Sequence, residues 1–182
     1  MKTLLILALV AAAAACRRDE ITVRREPKEK SPDMAALAPT ARPHGVRWTA
    51  PHGWSERPGT DMRVATLIPP AAHGKAEASV AAFPGDVGGE LANVNRWRGQ
   101  LALPPMTEAD LPDARKTVRC RLGQVLVYDF TGAGARPSRL VAGMIKVGGA
   151  TWFFKLSGDA DAVAADKPGF LELLQGLTND AS

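Results

Sequence analysis

One long helical pattern interrupts a succession of short strand patterns, and that placement limits the folds open to this chain. The helical stretch runs Gly88-Gly89-Glu90-Leu91-Ala92-Asn93-Val94-Asn95-Arg96-Trp97-Arg98-Gly99-Gln100-Leu101. At about 100° per residue, Leu91, Val94, Trp97 and Leu101 fall on one face, with Glu90 at its edge and Asn93, Arg96 and Gln100 opposite. Arg98 projects among the apolar residues, where a charge must snorkel or find a partner. Two readings follow. In one, this is a core-packing helix, held by Trp97, whose Arg98 turns inward to meet a carboxylate. In the other, the helix and its glycine turn form a binding surface: Asn93, Arg96 and Gln100 face outward, and Gly88-Gly89 admits a backbone or an anion close to the helix N-terminus.

The flanking segments alternate with a period of two. Val46 to Trp48 reads as a short strand, and the turn Pro51-His52-Gly53 sets Trp48 and Trp54 at the end of a core. Met62 to Ile68 is a strand stopped by Pro69-Pro70, and Gly74 turns it into Lys75–Phe83, with Ala76, Ala78 and Val80 inward. Pro84-Gly85-Asp86 ends that strand, and Asp86 or Gly88 caps the helix. After the helix, Leu103-Pro104-Pro105 is a stop and Thr107 to Leu111 one further helical turn. Lys116–Arg121 and Gln124–Thr131 are strands joined at Gly123. Leu140–Val147 and Thr151–Leu156 form a hairpin through Gly148-Gly149, with Trp152, Phe154 and Leu156 on the core side and Thr151, Phe153 and Lys155 on the other. A last helix starts at Asp159 or Asp161 and is split by Pro168, burying Phe170, Leu171, Leu174 and Leu177. Three strands, a helix, four strands and a helix, joined by tight turns, define an α+β domain: an antiparallel sheet of about six to seven strands with a central and a C-terminal helix packed on it.

That domain occupies residues 45–180, enough chain to bury a core without staples. Ahead of it, Lys2 precedes an apolar run, Leu4 to Val10, and then five alanines, the layout of a secretory signal over residues 1–15. The run is too short for a confident membrane span, which takes roughly 20 apolar residues. Ala13-Ala14-Ala15-Cys16 resembles the bacterial lipobox, and that resemblance implies cleavage before Cys16 and acylation of its thiol and new amino group. Two or three acyl chains, at about 0.8 kcal/mol per buried methylene, anchor a protein firmly. Arg17, where an inner-membrane protein of this kind carries aspartate, resembles the signal for the outer membrane, so the expected location is the periplasmic face of that membrane, lipid-anchored. Residues 16–44 mix charges of both signs with prolines and almost no aromatics, the composition of a disordered tether.

The net charge of +4 is mild and several of the charges sit in the tether, so nucleic acid is not indicated. With Cys16 acylated, Cys120 is the one remaining cysteine; it alternates with Val118 and Leu122, so it reads as a buried small hydrophobe and not as a reactive thiol.

Three patterns resemble a family of uncharacterised bacterial lipoproteins: Trp48-Thr49-Ala50-Pro51-His52-Gly53-Trp54; Gly88-Gly89 through Asn93, Asn95, Arg96-Trp97-Arg98 and Gln100; and Trp152-Phe153-Phe154-Lys155-Leu156-Ser157-Gly158. The element order resembles the PsbP-like and DcrB-like α/β/α sandwich. These resemblances imply an accessory or scaffolding role and bring no activity with them.

Catalytic patterns are absent from the sequence. His44, His52 and His73 each sit beside glycine or proline in loops, and none adjoins a nucleophile in an elbow pattern. There is no phosphate loop and no zinc spacing. Asp110 and Asp113, separated by Pro112, read as turn residues. The expectation is a membrane-anchored envelope lipoprotein, non-catalytic, without metal or cofactor, that meets a protein, glycan or lipid partner. The alternative is a small periplasmic hydrolase working through carboxylates.

Overall fold

The stretch from Ala150 to Asp159, where apolar residues alternate most regularly, forms the middle strand of a seven-stranded antiparallel sheet. A computed structural model describes residues 45–60, 62–70 and 73–179. The signal segment, Cys16, the tether and His44 lie outside the described residues.

The strands are β1 (Ser55–Pro58), β2 (Arg63–Ile68), β3 (Ala76–Pro84), β4 (Lys116–Cys120), β5 (Gly123–Thr131), β6 (Ser138–Val147) and β7 (Ala150–Asp159), in the spatial order β1-β2-β3-β7-β6-β5-β4. Two meanders therefore meet at the β3–β7 seam. Helix α1 (Gly89–Gln100), a 3₁₀ turn (Glu108–Asp110) and the short α2 (Leu111–Ala114) carry the chain from β3 to the far edge, and α3 (Ala160–Gln175) follows β7. The expected succession of three strands, helix, four strands and helix is present, and the domain is α+β.

The pleat sends alternate side chains to two cores. On one face Val163, Phe170, Leu173 and Leu174 of α3 pack on Ala78, Val80, Val125, Val127, Val141, Trp152, Phe154 and Leu156. On the other, Val94 and Trp97 of α1 and Leu111 pack on Tyr128, Phe130, Leu140, Ala142 and Met144. The inward set Trp152, Phe154 and Leu156 is as expected, and Phe153 joins the second core. Trp48 stands edge-on to Trp152 and Phe154, with ring centroids 6.4 and 6.2 Å away, so it closes the end of the first core. Asp129 receives Arg139 and Lys167 at 2.6 and 2.7 Å, which ties α3 to β5 and β6.

Several local expectations differ from the structure. Val46–Trp48 is no strand; Arg47 makes one isolated bridge, to Thr178. The first strand is Ser55–Pro58, exposed throughout and so without an apolar alternation to announce it. Pro168 does not split the last helix. It lies inside one continuous α3, with Leu173 buried and Leu171 only half-buried. Cys120 points toward the first core, as its spacing requires, but stands half-buried on edge strand β4, where only one neighbouring strand shields it.

Candidate functional site

Helix α1 begins where it does because Gly88 and Gly89 both take positive φ, 80° and 73°, a region that residues with a Cβ enter at a cost. A Cβ on Gly89 would meet nothing within 4 Å. The glycine pair therefore serves the turn, and no close approach of another group requires it. The helix N-terminus also has its counter-charge already: the Asp86 carboxylate accepts from the Gly89 N–H, and Glu90 sits in the first turn. Lys146, 3.0 Å away, holds the Asp86 carboxyl below its usual range. The expectation of free amides awaiting an anion is thus corrected.

Asn93 is corrected as well. It is 1% exposed, not outward. Its side-chain N–H groups reach the carbonyls of Val87 and Gly89 at 2.8 and 2.6 Å, so the 86–89 turn folds back over it. Arg96 lies exposed, with one guanidinium nitrogen 2.7 Å from the Asn93 side-chain oxygen. Trp97, 6% exposed, packs between Tyr128 and Phe153.

Arg98 forms no ion pair with a carboxylate among the described residues, although the Asp110 carboxylate feels its charge. Its Nε donates to the Pro104 carbonyl at 2.7 Å, and the guanidinium stands 5.0 Å over the Phe130 ring. It snorkels along the core edge, so its removal costs about 1 kcal/mol, not the larger penalty of a broken buried pair. Asn95 exchanges two hydrogen bonds with the Met106 backbone, at 3.0 and 2.7 Å, and that flank of α1 is closed by residues 104–106.

The charge partner of the helix is half-buried Glu90, which accepts from the Tyr128 hydroxyl and, at 3.3 Å, from Arg115. Tyr128 is fully buried, and burial, reinforced by the Glu90 carboxylate, raises its hydroxyl well above the ordinary value of about 10. A folded-state value above the unfolded one stabilises the fold below about pH 10, and this contribution is lost as pH rises toward the folded value. The chain has one tyrosine. Its phenolate absorbance should therefore stay absent near pH 10 and appear together with unfolding, followed by tryptophan fluorescence. A phenolate signal at pH 10 in the intact fold would contradict the burial.

The other flank of α1 is open. One cross-sheet row runs Thr66, Ser79, Lys155, Ala142, Tyr128, each paired with the next. Helix α1 seals Ala142 and Tyr128, whereas Thr66, Ser79 and Lys155 stay half-exposed. The adjacent row, Arg63, Ala81, Phe153, Met144, Leu126, behaves alike, with Ala81 and Phe153 half-exposed. On the opposite side the same central strands keep Ala78, Val80, Trp152, Phe154 and Leu156 at most 1% exposed. Lys155 Nζ donates to the side-chain oxygen of exposed Gln100 at 3.3 Å, and Arg63 pairs with Glu77 at 2.6 Å. Arg96 and Gln100 thus line a corner whose floor is the open half of the sheet. Alternation identifies which residues face this way, but it does not reveal that Thr66, Ser79 and Lys155 are neighbours.

Asp110 and Asp113 line a depression of about 530 Å³ with Arg98, Pro105, Met106 and Ala114. Asp110 spends its carboxylate on the Thr107 N–H and hydroxyl, at 2.8 and 2.7 Å, and these bonds hold it below the usual carboxylate range. Asp110 thus acts within its own turn, as the spacing around Pro112 suggests. Among the described residues no cluster of three or more His, Cys, Asp or Glu is placed to hold a metal ion, and no helix is long and apolar enough to cross a membrane.

No known protein family matches the chain, and no curated protein matches it. Solved structures offer distant likenesses. A Bacteroides thetaiotaomicron protein aligns with a TM-score of 0.47 and 10% identity, over 75% of this chain but only 46% of that protein. LpqN of Mycobacterium tuberculosis, a protein involved in cell envelope biogenesis, aligns at 0.46 and 13%, over 75% of this chain and 83% of its own. The cyanobacterial PsbP of Synechocystis, CyanoP, aligns at 0.41 and 13%, over 75% and 93%. At this level they carry neither family nor function, and the α+β class stands on the sheet and helices themselves.

Proposed function

We propose that this chain is a lipid-anchored, non-catalytic binding protein of the bacterial envelope, tethered through Cys16 by residues 16–44 and meeting its partner at the corner formed by α1 and the open sheet. The observation that carries this reading is the asymmetry of the central strands, sealed under α3 and half-exposed beside Arg96 and Gln100. An exposed area of mixed apolar and cationic character in the middle of a sheet is where a ligand or partner gains most by covering it.

One experiment tests both parts. Full-length chain expressed in a bacterial host should fractionate with membranes, and Cys16→Ser should leave it unacylated, uncleaved or released. From the membrane fraction, crosslinking should recover a partner in the parent chain and lose it in Arg96→Ala at an unchanged melting temperature. An unmodified Cys16, or recovery indifferent to Arg96, would overturn the corresponding half of the proposal.

A further inference from the structure

The open half of the sheet combines two characters that water alone does not call for. Phe83 and Phe153 stand edge-to-face at 6.0 Å, with Ala81 as the cross-strand partner of Phe153, and all three are half-exposed. The row beside them carries Thr66, Ser79 and Lys155. Directly opposed residues lie about 5 Å apart, so the two hydroxyls and the ammonium form one polar line that ends at Gln100 on the helix.

Within that line Lys155 forms no ion pair among the described residues. Its one hydrogen-bond partner among the described residues is the neutral side-chain oxygen of Gln100. The nearby carboxylate, Glu77, is committed to Arg63 at 2.6 Å. Burial lowers the Lys155 ammonium below its usual value and the Arg63 charge pushes the same way, with Glu77 opposing. A partly desolvated cation with no anion of its own is stabilised by any anion brought to it. Gln100 can turn its amide to present N–H donors, and the Ser79 hydroxyl can donate as well.

We propose that this corner binds an anionic amphiphile, its carboxylate or phosphate held by Lys155, Gln100 and Ser79 and its apolar body laid along Ala81, Phe83 and Phe153. Charge selects the head group: Lys155 forms no ion pair among the described residues, and exposed Arg96 adds a second cation on the same flank of the helix. The apolar row beside it selects the body, since a free inorganic anion would leave Phe83 and Phe153 uncovered. The assignment rests on the reading of this corner as a binding surface and narrows it to a ligand class.

The test uses full-length chain carrying Cys16→Ser, so that no acyl chain of its own competes, titrated with monomeric dodecyl phosphate, with inorganic phosphate and with the neutral amphiphile dodecyl maltoside. Saturable binding of one dodecyl phosphate is expected, with the other two probes at least about tenfold weaker. Lys155→Met, which keeps the length and removes the charge, should weaken dodecyl phosphate by about tenfold or more, the loss of one charged hydrogen bond. It should melt no lower than the parent chain. Ala81→Glu should block the apolar lane and abolish binding. Equal binding of dodecyl maltoside, equal binding of inorganic phosphate, or indifference to Lys155→Met would overturn the proposal. So would a Lys155→Met chain that melts lower, because the ammonium would then be neutralised within the fold. Failure of the titration overturns the ligand class even where crosslinking still depends on Arg96; loss of that dependence overturns the surface itself.

Discussion

Trp97→Ala should destabilise the domain by about 3–5 kcal/mol, read as a lower midpoint in chemical denaturation. Trp97 is the largest side chain that α1 inserts into the sheet. Its ring lies 6.1 Å from Tyr128 and 6.0 Å from Phe153, so truncation empties the junction of helix and sheet. The remaining contacts cannot collapse to refill it. Asn93 and Asn95 pin the backbone on either side through hydrogen bonds to Val87, Gly89 and Met106, and Glu90 is fixed by Tyr128 and Arg115. Trp97→Phe should lose less than half as much, because it keeps an aromatic body in the same slot. A loss below about 1 kcal/mol for Trp97→Ala would mean that packing does not hold the helix.

Gly158→Ala should be strongly damaging for a single-methyl addition, at about 3 kcal/mol or more. Gly158 pairs with Ala76 on one side and Arg139 on the other. A Cβ there would stand 2.0 Å from the Lys75 carbonyl oxygen and 2.7 Å from the Ala76 Cα. Backbone cannot rotate aside as a side chain can, so β3 and β7 would have to part at that end. The comparison is Gly149→Ala in the β6–β7 turn, where φ is +76° and the space around the Cβ is empty. That change meets only left-handed backbone strain, about 1–2 kcal/mol. Thermal melts of the two variants should separate clearly; similar melting points would show that the β3–β7 pairing yields at Gly158.

The features legible in the sequence are those set by local period. Trp152, Phe153 and Phe154 fall on alternate faces because a strand alternates, and Val94 and Trp97 turn inward because the helix repeats. What escaped such reading depends on distant chain. Asn93 looks solvent-facing on a helical projection and is buried because the 86–89 turn folds back on it. The helical projection puts Arg98 on the correct side, but its partners, a carbonyl and an aromatic ring, are not the carboxylate that a charge argument favours. β1 has no apolar residue to mark it. The candidate site is the extreme case: Lys155 reads as an outward strand residue, and only the pairing of β7 with β3 sets it beside Ser79 and Thr66.

The meeting of the two meanders at β3 and β7 also governs when the domain can form. The first three strands emerge early, yet the inner edge of β3 finds its partner only when the last strand of the chain is made. Until then β3 presents an unpaired edge with Ala78 and Val80 uncovered, since α3 arrives later still. Contacts of such long sequence separation close slowly, and a nascent edge of this kind is a place where chains stick to one another. The N-terminal meander therefore completes its pairing only after β7 is made. The cost of that order is a period during which the β3 edge must be shielded.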